Sequence, residues 1–171
     1  MTTFSKKICL LGDFAVGKTS LVRRFVYNLF DDRYISTIGV KVSRKTVVVP
    51  RADDVVELTM MLWDLAGSEE FNQVRASYLR GAAGAVLVCD LTRPETLTNL
   101  STYTADLFQV SPDARLIIAA NKSDLTDQQQ IEPADVQTVA AQFNAPYYIT
   151  SARTGDEVET LFRQLGGLLV P

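Results

Sequence analysis

The chain has 171 residues, 47% of them hydrophobic and 22% charged, proportions that suit one soluble globular domain with a substantial core. A net charge of −3 argues against non-specific nucleic-acid binding through a basic surface. The two cysteines, Cys9 and Cys89, lie inside apolar strand-like runs. Nothing in that placement suggests a disulfide framework or zinc cluster, and it reads as two reduced core thiols of a cytoplasmic protein.

The opening "MTTFSKKICLLGD" holds too short an apolar run for a signal peptide. From there β-rich runs alternate with helical patterns, the signature of an α/β fold with a mainly parallel sheet. Strands are expected at "KKICLLG", "KVSRKTVVV", "VVELTMMLWD", "GAVLVCDLT", "ARLIIAANK" and "PYYITSA". The turn cluster "PRADD" separates the second from the third, so these two should form an antiparallel hairpin. The other runs are dense in Val, Ile, Leu and Ala, as strands covered on both faces by helices should be. Helices are expected over 17–28, 69–79, 95–109, 133–143 and 155–169. In the last, Val158, Leu161, Phe162, Leu165 and Leu169 share one stripe, and the tandem Gly166-Gly167 weakens the final turn. No repeat or linker interrupts the chain, so it reads as one domain over 1–171. No stretch approaches the roughly 20 apolar residues of a membrane span. The final "LGGLLVP" offers no cysteine for a prenyl group, so membrane contact is expected only through partners if this is the whole protein.

The first strand hands over to the first helix through "GDFAVGKTS", the spacing G-x-x-x-x-G-K-T. Glycines allow a tight turn whose N–H groups converge on a phosphate, and the helix N-terminus adds positive potential. The expected nucleotide contacts here are Phe14, Ala15, Val16, Gly17, Lys18, Thr19 and Ser20. Lys18 can reach the β- and γ-phosphates, and the Thr19 hydroxyl is placed for Mg²⁺. "DRYISTIGV" supplies Thr37, which reads either as a metal-binding hydroxyl with an N–H for the γ-phosphate or as a plain loop threonine. In "LWDLAGSEEF", Asp64 closes an apolar strand, where it can hold the metal, and Gly67 follows three residues later. Gly67 has no side chain, so its N–H can approach the γ-phosphate; alone, the pair equally suits an ordinary strand-to-loop aspartate.

Two later segments read a base. "NKSD" places Asp124 after the fifth strand, with Leu125 beside it. A carboxylate can accept from guanine's N1–H and exocyclic amino group, whereas adenine has a donor at neither place. Asn121 would brace the loops, and the stem of Lys122 can lie along the base. "TSAR" (Ser151, Ala152, Arg153) follows the last strand, with the Ala152 N–H placed to meet guanine O6; by itself it also reads as a helix-capping loop. All these segments follow strands, where doubly wound sheets bind ligands.

Taken together, "GDFAVGKTS", "STIG", "WDLAGSEEF", "RGAAGAVLVCDLT", "NKSD" and "TSAR" resemble a Ras-superfamily small GTPase, closest to the Rab branch, over essentially the whole chain. The resemblance implies a P-loop fold with a six-stranded, mainly parallel sheet. It also implies a monomeric GTP/GDP switch with Mg²⁺ held by Thr19, Thr37 and Asp64, whose loops around Thr37 and Gly67 order on the γ-phosphate. Lys18, Thr37, Gly67 and position 68 would carry hydrolysis. Phe30 would pack edge-on against guanine and Tyr34 would close over the phosphates; read unaided, Phe30 is a core residue at the end of the first helix. Partners would dock on Ile38, Trp63, Phe71 and Tyr78, unless these are partly buried against the sheet.

Four positions depart from the family pattern. Ser68 stands where the water-orienting glutamine is usual, and its hydroxyl is too short to reach both water and γ-phosphate. Phe14 stands where a small residue faces the γ-phosphate and any inserted arginine. Lys41-Val42 replaces an aspartate and an aromatic. The first two imply slow hydrolysis; Glu69 and Glu70 read better as solvated acids opening a helix than as substitute bases. A GTP-held binding scaffold is the rival expectation. An adenine-using P-loop kinase is disfavoured by Asp124 and by the lack of a lid-like insertion.

Overall fold

The computed structural model describes residues 2–31, 39–65 and 72–171, and every structural statement below concerns those residues. Strands β1 (Thr2–Leu11), β2 (Val40–Pro50), β3 (Val55–Leu65), β4 (Ala82–Asp90), β5 (Arg115–Asn121) and β6 (Tyr147–Ile149) form one sheet. Its order is β2-β3-β1-β4-β5-β6. The β2–β3 hairpin is antiparallel and every other pairing is parallel, the expected mixed sheet. Its turn is closed by an Arg51 N–H bond to the Asp54 carbonyl (2.8 Å) and a two-point side-chain pair at 2.9 Å. Helices α1 (Lys18–Tyr27), α2 (Asn72–Leu79), α3 (Pro94–Thr98), α4 (Leu100–Val110), α5 (Pro133–Gln142) and α6 (Val158–Leu169) complete the described elements, with a 3₁₀ turn at Thr126–Gln128.

Alternation along the strands divides the core into two layers. Ile8, Leu10, Leu58, Met60 and Leu62 point to the side covered by α1 and α6. Cys9, Leu11, Leu87 and Cys89 point to the side of α3, α4 and α5. Both cysteines are fully buried, and burial pushes each thiol up to about 12, so both stay protonated at neutral pH. In the first layer Phe25 of α1 stacks on Phe162 of α6, with centroids 4.2 Å apart. The stripe Val158, Leu161, Phe162, Leu165 and Leu169 is buried, as its spacing predicts.

Several boundaries differ from expectation. β1 starts at Thr2 because Thr2–Ser5 pairs with Val56–Thr59. The helix expected over 95–109 is two, divided at Asn99, where the Thr102 N–H bonds back only three residues to the Asn99 carbonyl (3.1 Å). Gly155 and Glu157 both adopt left-handed backbone (φ 87° and 61°), so α6 begins at Val158 rather than 155. β6 is confined to three residues.

Gly166 is a packing site: a Cβ there would lie 3.0 Å from Met60 Cε and 3.3 Å from Leu58 Cδ2. Gly167 faces open space. The two glycines should therefore respond oppositely. Gly166→Val should lose about 1–3 kcal/mol through overpacking, and Gly167→Ala should gain about 0.5–1 kcal/mol of helix propensity. Urea unfolding of the two variants checks both signs.

Candidate functional site

Parallel strands end on the same edge of the sheet, so the segments after β1, β3, β4, β5 and β6 gather there. The turn from Gly12 to Gly17 follows β1 immediately, and α1 starts at Lys18. Gly12 (φ 153°) and Gly17 (φ 105°) are required by their neighbours as well as by their conformation. A Cβ on Gly12 would sit 2.3 Å from the Val88 carbonyl of β4, and one on Gly17 would sit 2.3 Å from Asn121 Nδ2. Ala15 also takes a left-handed conformation (φ 62°), which costs a residue with a Cβ about 1–2 kcal/mol. Val16 is buried in the core, Phe14 is 52% exposed, and Ser20 lies half-buried in the first turn of α1.

Lys18 is buried, and its Nζ donates to the Gly12 and Asp13 carbonyls, both at 2.9 Å. Burial pulls its ammonium down to about 8, opposed by the carboxylates of Asp64 and Asp13 and assisted by Arg93. The Thr19 hydroxyl donates to Asp64 Oδ2, and Asp64 is buried at the end of β3. An alcohol and a carboxylate in direct contact form a hard oxygen donor set, which fits Mg²⁺.

The segment after β5 locks onto this turn. Asn121 Nδ2 donates to the Val16 carbonyl (3.1 Å), while its Oδ1 accepts from the Thr150 hydroxyl (3.1 Å) and the Ala152 N–H (3.2 Å). Lys122 has left-handed backbone (φ 74°); its Nζ donates to the Ala15 carbonyl at 2.8 Å and pairs with Asp90 at 2.9 Å. Asp124 Oδ1 accepts from the Ser151 hydroxyl (2.8 Å), and the Leu125 N–H closes a turn on the Lys122 carbonyl (3.1 Å). Arg24 of α1 donates to the carbonyls of Ala152 (2.8 Å) and Arg153. The structure thus brings residues 14–20, Asp64, Asn121, Lys122, Asp124, Leu125, Ser151, Ala152 and Arg153 to one sheet edge.

Other expected residues fall elsewhere. Phe30 is half-buried and packs against the core under α1 and α6. Trp63 and Tyr78 are also half-buried; their rings are 6.3 Å apart, and Lys7 Nζ lies 3.8 Å from the Trp63 centroid. The partial-burial alternative therefore describes these two, with Val42 exposed beside Trp63 on β2. Tyr34, Thr37, Ile38, Gly67, Ser68, Glu69, Glu70 and Phe71 lie outside the described residues.

Motif spacing missed the side chains that hold the turn from behind. Asp90, at the end of β4, accepts from the Thr92 N–H (2.8 Å) and hydroxyl (2.7 Å) and pairs with Lys122 and Arg93. Burial pushes its carboxyl up, but these hydrogen bonds outweigh it and hold Asp90 below the usual carboxylate range. Arg93 Nη2 donates to the Phe14 carbonyl (2.6 Å). One signal was available: Asp90 is an acid ending the otherwise apolar strand β4.

This sheet order, with a lysine-bearing glycine turn between β1 and α1 and an Asn-Lys-x-Asp loop after β5, defines a P-loop nucleotide-binding protein of the small-GTPase class. The sequence model of the Ras family matches residues 7–169. Mouse Ras-related protein Rab-22A is 37% identical over 161 residues, covering 93% of this chain and 80% of the relative. The GTP-binding protein ypt5 of Schizosaccharomyces pombe is 36% identical over 164 residues, covering 95% and 76%. The GTP-binding protein ypt4 of the same yeast is 35% identical over 162 residues, covering 91% and 68%. The chain belongs to the Ras family of small GTPases, in its Rab branch. No helix among the described residues is long and apolar enough to cross a membrane.

Lys18 supplies a pH signature. A bound phosphate favours the ammonium, so above pH 8 binding must take up a proton. Affinity for GDP should therefore hold below pH 8 and weaken as pH rises towards 9, by up to about tenfold per pH unit. Titrating affinity over that window, below the ionisation of guanine N1–H, checks the sign.

Proposed function

We propose that this chain is one GTPase domain spanning residues 1–171, a GTP/GDP switch that hydrolyses GTP slowly. The observation that carries the reading is the direct wiring of the phosphate turn to the base-reading loops, through Asn121 on the Val16 carbonyl and Lys122 on the Ala15 carbonyl. One rigid edge then grips a nucleotide at both ends. Residues 14–20 present backbone N–H groups to the phosphates, and the Lys18 ammonium balances charge on the β- and γ-phosphates. Thr19, Thr37 and Asp64 would hold Mg²⁺, which supplies neutralisation of the triphosphate. At the other end Asp124, held by Ser151, accepts from guanine, and Ala152 lies beside it to meet O6. Tyr34 would close over the phosphates, and Phe30, half-buried against the core, would offer the base only its exposed edge.

Hydrolysis is in-line attack of water on the γ-phosphorus, forming phosphate as the bond to the β–γ bridging oxygen breaks and GDP leaves, with Thr37 and Gly67 holding the transferred γ-phosphoryl group. Two residues make this slow. Ser68 is too short to orient the water, and the half-exposed Phe14 ring stands where an activator's arginine would enter. A second reading, a GTP-held scaffold with negligible turnover, is favoured by the same two residues. In either case partners would dock around Ile38, Phe71 and the exposed edges of the half-buried Trp63 and Tyr78, where exposed Val42, opposite Trp63 on β2, extends the apolar surface. The protein would act as a cytoplasmic monomer.

Competition of GTP against ATP should show a guanine preference of roughly 10⁴, as expected where a buried acceptor reads specific donors. Equal binding of the two overturns the reading. In single-turnover assays Ser68→Gln with Phe14→Gly should raise cleavage at least about tenfold, since a positioned group acting on attacking water contributes roughly 10²–10⁴. Ras-like cleavage by the wild type, unchanged in Ser68→Ala, removes the slow-hydrolysis claim; phosphate release over hours favours the scaffold.

A further inference from the structure

Asp13 is a carboxylate inside a turn whose chemistry calls for an anion. Its own charge would repel a phosphate, and it already bears on Lys18. The structure turns it away. Asp13 Oδ1 accepts from the Tyr103 hydroxyl at 2.8 Å, and Oδ2 accepts from Asn99 Nδ2 at 2.7 Å. Tyr103 is buried on α4, and Asn99 is the residue at which α3 and α4 divide. The shortened Thr102-to-Asn99 backbone bond marks this break, so the irregularity in the helix and the reach to Asp13 belong to the same residue. The next residue of the turn is tied to the same stretch of chain, through Arg93 Nη2 on the Phe14 carbonyl.

We propose that Asn99 and Tyr103 are positioning residues for the phosphate turn: by holding both oxygens of Asp13 they aim its charge away from the nucleotide and slow nucleotide release. The proposal rests on the reading of this site as guanine-nucleotide-binding. Both hydrogen bonds are to an ionised acceptor, the stronger kind. Without them the Asp13 side chain gains freedom to turn towards the phosphates, and the backbone between Gly12 and Ala15 loses an anchor. The α3–α4 junction thereby sets how long a diphosphate stays bound, although neither residue touches it.

The test is the dissociation rate of a fluorescent GDP from the full chain, with the ³¹P shift of the bound β-phosphate read in parallel. Tyr103→Phe combined with Asn99→Ala keeps the packing and the exposed surface nearly intact. It should release GDP about tenfold faster, equivalent to about 1.4 kcal/mol, and move the β-phosphate resonance. In an Asp13→Ala background the same two changes should add little. A second route is exchange of roles: Asn99→Asp should accelerate release by setting two carboxylates together, and Asp13→Asn in that background should restore a donor–acceptor pair and slow release again. Wild-type release from both variants, or equal acceleration with and without Asp13, overturns the proposal and leaves the nucleotide reading standing. A wild-type chain that retains no guanine nucleotide overturns both.

Discussion

In a planar trans peptide the N–H points opposite to the carbonyl, so a turn can present amides to an anion only if its carbonyls are engaged on the outside. Here five carbonyls in succession are engaged by side chains. Gly12 and Asp13 accept from Lys18, Phe14 from Arg93, Ala15 from Lys122 and Val16 from Asn121, at 2.6–3.1 Å. This arrangement lets Ala15 stay in a left-handed conformation that its own side chain disfavours. The nest is a property of three loops, and the turn by itself does not make it.

The same bonds make the two ends of the site one unit. Asn121 touches the phosphate turn through its amide nitrogen and the β6 loop through its oxygen, so a shift at Val16 is felt at Ala152. Behind them Asp90 stands between Arg93 and Lys122, each of which also ties a carbonyl of the turn. One buried carboxylate thus keeps two cations in place. Arg24 reaches from α1 to the carbonyls of Ala152 and Arg153, closing the ring from the opposite face. A site built this way holds its shape through charge-assisted hydrogen bonds between elements far apart in sequence.

Much of this was legible beforehand because it is local. Alternating apolar runs named six strands, a turn cluster named the hairpin, and three- and four-residue steps named the buried face of α6. Glycine and lysine spacing placed the phosphate turn at the strand–helix junction where it stands. The division at Asn99 and the delayed start of α6 were not legible. Each is set by a bond or a backbone angle that periodicity does not record: the three-residue step at Asn99, and left-handed residues at Gly155 and Glu157.

The sequence by itself determined the fold class, the order of the loops and the chemistry each could offer, because these follow from side-chain type and short-range spacing. Tertiary structure alone decided which oxygen each donor meets. It made Gly12 and Gly17 obligatory through Val88 and Asn121, brought Arg93 to Phe14, and paired Asp13 with Asn99 and Tyr103, which lie 86 and 90 residues away. Such partners are adjacent only because parallel strands deliver distant segments to one edge of a sheet, and no local pattern encodes that adjacency.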